Sequence, residues 1–153
     1  MKKVLPFAIA ALMIPSVALA KGPNPKSGTH GNHGKAKVMY VLKGLLSNYV
    51  AYTPAANGNP AVDGHITIQV QHSNRHGKLL VGATPATIDI DIGQNTKIVL
   101  ANGVAQIAAS GDYGMVKVRA ARLAFKTATL SDVQAALLNQ PAHMVTDWGP
   151  PSG

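Results

Sequence analysis

A chain of 153 residues with 10 prolines and 15 glycines has the length of one domain, and its breakers are spread too widely for a long helix or coiled coil to dominate. Cysteine and glutamate are both absent: the six acidic side chains are Asp63, Asp89, Asp91, Asp112, Asp132 and Asp147, set against 14 lysines and arginines for a formal charge of +8. Those absences exclude a disulfide scaffold, a thiolate metal site, a cysteine nucleophile, a lipoprotein anchor and any glutamate-based acid/base pair, while 46% apolar content suffices for a packed core.

Met1-Lys2-Lys3, an apolar run over 4–14 and Ala18-Leu19-Ala20 before Lys21 have the three-part layout of a secretory signal peptide over 1–20, with cleavage expected after Ala20. The run is shorter than the roughly 20 apolar residues that span a bilayer and contains Pro6, so no transmembrane segment is expected after cleavage. The chain therefore reads as exported, to a periplasm or to the extracellular space, and losing Lys2 and Lys3 leaves it basic. Residues 21–35, KGPNPKSGTHGNHGK, have no aliphatic or aromatic side chain to bury and read as a flexible, basic Gly/Pro-rich arm.

From Ala36 the texture is that of strands, and 36–126 reads as a β-domain followed by a short helix and tail over 127–153. A first strand is expected over 37–53, bent at Gly44, where a glycine marks a bulge or tight bend. A loop, PAANGNPAVDG, follows over 54–64. In the next strand, 65–73, Ile66, Ile68, Val70 and His72 share one face, and the turn Asn74-Arg75-His76-Gly77 leads to a short strand over 78–81. Thr87 to Ile92 alternates strictly, with three isoleucines inward and Asp89 and Asp91 outward. Asn102-Gly103 reads as the type I′ turn of a hairpin joining 96–101 to 104–109. Residues 115–120 alternate again. Ser131 to Gln134 forms an S-x-x-Q capping box for a two-turn helix that presents Val133, Ala136 and Leu137 on one face and stops at Pro141. The expected fold is all-β: a small five- to six-stranded Greek-key barrel of the OB type with a short C-terminal helix.

Nothing in this chain carries a catalytic signature. There is no G-x-S-x-G, no S-x-x-K and no phosphate-cradling loop, so a non-enzymatic role is expected and no cofactor is implied. The remaining chemistry rests on histidine and aspartate. His65, His72 and His76 are the candidate metal ligands, although a four-residue spacing on a strand separates two rings by roughly 13 Å. Asp89 and Asp91 are close enough to bind Ca²⁺ or share acid and base roles, or they pair as a solvated face with Lys117 or Arg119.

The stretches YVLKGLLSNY, GHITIQVQHSNRHGKLLVG and GMVKVRA resemble small exported bacterial β-barrel domains of unknown function, in which I-T-I-x-V is followed by H-x-N-x-H-G and closed by G-x-V-K-V. The resemblance covers Tyr40 to Ala120 and implies a fold without an activity. It singles out His72, Asn74, Arg75 and His76 as candidate ligand-binding residues, and the basic strand positions Lys117 and Arg119 join them. The expected function is a binding or envelope-associated module for an anionic or carbohydrate ligand, its partner an anionic polymer or polysaccharide and not a dedicated nucleic acid. The alternatives are a metal-dependent or hydrolytic enzyme using a His/Asp cluster and a structural subunit assembling through sheet edges.

Overall fold

A computed structural model describes residues 36–151, so the expected signal peptide and basic arm lie outside the described residues. Six strands form one mixed sheet: β1 (Lys37–Val50), β2 (Gly64–Ser73), β3 (Thr87–Ile92), β4 (Lys97–Leu100), β5 (Tyr113–Ala121) and β6 (Ala142–Asp147). Their spatial order is β3-β2-β1-β5-β6-β4. All neighbours are antiparallel except β4 and β6. A 3₁₀ helix, Arg75–Leu80, follows β2, and one α-helix, α1 (Leu130–Leu137), precedes β6. Among the described residues no helix is long and apolar enough to cross a membrane.

The bent first strand organises the sheet. Its N-terminal part pairs with β5 over 37–45 and its C-terminal part with β2 over 42–50, so β1 hydrogen-bonds on both sides only in the middle. Gly44 sits there because a Cβ would run into the Gln69 carbonyl oxygen of β2. Its partner across β5 is Gly114, where a Cβ would meet the Thr146 carbonyl and the Leu46 side chain. The bulge expected beside Gly44 is present, but the extra residue is Gln71 of β2: Gly44 pairs with Val70 and Lys43 with His72. One inserted residue inverts the alternation, so His72 is exposed on the outer face instead of sharing the inner face with Ile66, Ile68 and Val70.

Tyr40, Leu42 and Leu46 of β1 pack with the isoleucines of β2 and β3, with Val116 and Val118 of β5, with Val145 of β6, and with Val133 and Leu137 of α1. β3 matches its alternation, with Ile88, Ile90 and Ile92 buried. α1 begins two residues earlier than its sequence signal: Thr129 is the N-cap and Asp132 completes the box.

Three expected elements are replaced. Residues 78–80 belong to the 3₁₀ helix, with Val81 as its C-cap. The Asn102-Gly103 hairpin does not form, because β4 pairs in parallel with β6 and the Asp147 carboxylate takes the Ala108 N–H that a ladder would use. The loop over 54–64 is itself a hairpin, with Thr53 paired to Val62, Ala56 to Asn59, and Asn57-Gly58 at the tip with positive φ at both residues. The segment expected as a short helix and tail over 127–153 also contains β6, seated between β5 and β4, so the sheet extends beyond residue 126. Asp147 closes β6 fully buried, accepting from Ala108 N at 2.6 Å and Gly149 N at 2.8 Å.

The two edge strands, β3 and β4, are joined by only four residues, Gly93 to Thr96. Five Cα steps reach at most about 18 Å, whereas the edges of a flat six-stranded sheet lie about 24 Å apart. The sheet is therefore curled, and Thr96 stitches the turn to β6: its hydroxyl donates to Ala142 O at 2.7 Å and accepts from Gly93 N at 3.0 Å.

Candidate functional site

The candidate residues separate into two places. Arg75 and His76, in the 3₁₀ helix, enter a cleft of ≈ 610 Å³ bounded by that helix, the 123–128 loop and α1. Lys117 and Arg119 lie on the outer face of β5, opposite the core. Their distribution does not form one site.

In the cleft the side chains form a continuous stack. The Arg75 guanidinium lies over the Phe125 ring at 4.3 Å, and the His76 ring stacks on Phe125 with centroids 5.3 Å apart. His76 also leans on Tyr40, 5.8 Å away. Tyr40 is buried and its hydroxyl donates to Ala121 O at 2.9 Å; burial raises the phenol above its ordinary range, which suits a neutral donor and not a base. Lys78, Leu79 and Val81 complete the wall on the 3₁₀ side, and Val133 of α1 contributes to the lining. Among the described residues no carboxylate lines this cleft.

Asn74 has a positioning role. Its backbone N–H donates to Val41 O, its amide nitrogen donates to Met39 O at 2.8 Å, and its amide oxygen accepts from Val41 N. The residue thereby continues the ladder along β1 by one step and fixes where the 3₁₀ helix begins. Gly77 lets that helix settle, since a Cβ would press on Leu42 and Ser73. His72, exposed and opposite Lys43, shares a small hollow with Asn74, Arg75 and Lys78, separate from the cleft that holds His76.

The three candidate metal ligands are held apart by these elements. His65 is exposed on β2 with Asp91 as its cross-strand partner, His72 lies beyond the bulge, and His76 is in the cleft. Among the described residues no three histidine or aspartate side chains converge. Asp89 accepts a 2.5 Å hydrogen bond from Thr67, which in turn accepts from Asn48. Two strands, β2 and β1, separate it from Lys117 and Arg119, so the expected cross-strand pairing does not occur.

Strand register builds the second surface. Lys97 and Lys117 both flank Met144, Lys117 also pairs with Val41, and Lys43 pairs with Met115, itself paired with Thr146. Arg119 pairs with Met39. With Lys37 at the start of β1, five cations occupy the outer face of β1, β5, β6 and β4, interleaved with half-buried Met39, Met115 and Met144. At one end Trp148 stacks on Tyr113 with centroids 5.8 Å apart, and the Lys43 ammonium lies over the indole. At the other, Lys37, Arg119 and His143 share a shallow hollow with Asp63. Lys97 and Lys43 carry no local sequence signal as site residues, because strand order alone brings them beside Lys117. Comparison with known proteins returns no matching family model, no similar curated protein and no similar solved structure.

Proposed function

We propose that the chain is an exported, non-enzymatic binding module for an anionic polymer, an acidic polysaccharide of the cell envelope being the best fit. The observation that carries this reading is the cationic outer sheet face. Lys97 and Lys117 are two strands apart, roughly 10 Å, and Lys117 and Arg119 are roughly 6.6 Å apart along one strand. Five charges spread at such intervals over four strands cover more surface than one small anion does, and they match a polymer with repeating charge. The aromatic side chains favour a polysaccharide over a single-stranded nucleic acid. Tyr40 is buried, Tyr49 and Tyr52 pack partly against the core, and the exposed Trp148 stands with Tyr113 at one end of the face, so the cationic rows are not interleaved with a run of stacking platforms.

The scaffold under that face is read as a small barrel of the OB type, which binds its ligands on a strand face. Support comes from the Gly93–Thr96 connection. If β3 and β4 are two halves of one bent strand, the first antiparallel to β2 and the second parallel to β6, the circuit has five members. The signal-peptide layout of residues 1–20 supports export. N-terminal sequencing of the protein recovered outside the cytoplasm should begin at Lys21, and a chain retaining Met1 in the cytoplasm would remove this part of the reading.

Binding to heparin, with neutral dextran as the control, tests the function. The expected result is binding that weakens as salt rises, with a combined Lys117→Gln and Arg119→Gln variant losing about tenfold in affinity and showing a shallower salt dependence. Absence of salt-sensitive binding to heparin, DNA and purified wall polymers would overturn the proposal.

A further inference from the structure

We infer that the cleft between the 3₁₀ helix, the 123–128 loop and α1 is a second binding site, for a small amphiphile with an anionic head and an apolar tail. It lies away from the sheet-face cations and does not depend on the polymer reading. Its ≈ 610 Å³ falls within the roughly 300–1,000 Å³ of small-molecule sites. Three large apolar side chains that remain exposed, Leu79 at 45%, Phe125 at 38% and Val81 at 37%, converge on this one concavity. Apolar surface kept wet in a concave setting marks a place that a ligand covers.

The charges choose the ligand's head. Arg75 and Lys78 line the cleft, while Arg122 and Lys126 lie with Arg75 in the hollow on the other side of Phe125. Among the described residues no carboxylate lines either hollow, so Arg75 and Lys78 in the cleft, with Arg122 and Lys126 in the hollow beside it, meet no counter-charge in that lining. Phe125 lies against the Arg75 guanidinium at 4.3 Å, a contact that restrains the fork while leaving donors available for a carboxylate or phosphate. The 3₁₀ helix carrying both cations is anchored by Asn74 on β1 and by buried Leu80, so the head site is built before a ligand arrives. Leu79, Leu123 and Val133 then supply the apolar wall.

Titration calorimetry of the processed full chain with dodecanoate tests this inference. Saturable binding is expected, with Arg75→Gln combined with Lys78→Gln weakening it about tenfold. Ala128→Phe fills the cleft without touching its charges and is expected to abolish binding. Leu79→Ser acts on an exposed wall residue, so its weakening survives any folding defect of the Ala128 variant. Lys117→Gln with Arg119→Gln should leave dodecanoate binding unchanged, which separates failure of this site from failure of the sheet face. Vesicles of phosphatidylcholine with and without phosphatidylglycerol distinguish a bilayer lipid from a free amphiphile: vesicle binding that Ala128→Phe removes assigns the former. No saturable dodecanoate or vesicle binding, equal affinity for dodecyl maltoside, or wild-type affinity in both the Ala128 and Leu79 variants would overturn the proposal.

Discussion

Tyr40 joins the core to the cleft, with its ring enclosed and tilted against His76 and its hydroxyl on Ala121 O. Burial raises its phenol above the ordinary value of 10.0, so the folded state holds the proton more tightly than the unfolded chain does. The resulting stabilisation is fully present below the unfolded value and is lost as pH rises through the folded one. Urea midpoints followed over about pH 9 to 12 should therefore fall, and Tyr40→Phe should flatten that fall while costing about 1 kcal/mol at neutral pH for the lost hydrogen bond. The aspartates were harder to assign from sequence. Alternation placed Asp89 and Asp91 outward correctly, but nothing local marks Asp147 as a buried acceptor for Ala108 and Gly149, a role that depends on chain 39 residues away. His76 was singled out as part of a motif. Its contact with Phe125 rests on the path of a loop that follows β5 and has no periodicity to read.

Among the elements, Gly44 decides how closely β1 and β2 can approach. Gly44→Ala should destabilise the fold by about 3 kcal/mol, because the added methyl meets backbone that cannot move aside. Gly103→Ala, where open space surrounds the site and only positive φ is at stake, should cost about 1 kcal/mol; chemical denaturation of the two variants compares them directly. Strict alternation located the β2 and β3 strands, and the interior of β5, almost to the residue. The two Asn-Gly pairs had opposite fates. Asn57-Gly58 turns a hairpin because its flanks pair with each other, whereas the flanks of Asn102-Gly103 are claimed by β6 and Asp147. β6 was missed because Ala142–Asp147 has a weak pattern and gains its place from neighbours on both sides. The inversion at Gln71 was equally illegible: a bulge was expected, but which strand takes the extra residue depends on pairing.

Across the whole molecule, folding sorts the charge. The nine lysines and arginines among the described residues divide into five on the sheet face and four in the cleft or the hollow beside it, while Asp112 and Asp147 are buried and Asp132 completes the helix cap. The net charge is visible in composition, but this division is not, since it follows from strand order. The connection between β3 and β4 has a further consequence for the motions of the backbone. Both strands are hydrogen-bonded on one side only, while the middle of β1 is paired on both. Opening of the molecule should start where those two single-sided strands meet and leave the centre intact. Amide deuterium uptake should therefore be fastest along β3 and β4, slowest at Leu42 to Leu45, and faster still in β4 when Thr96→Val removes the hydroxyl that ties the turn to Ala142. The region best able to breathe would then lie at the junction of β3 and β4, with the paired centre of β1 as the part that keeps its protons longest.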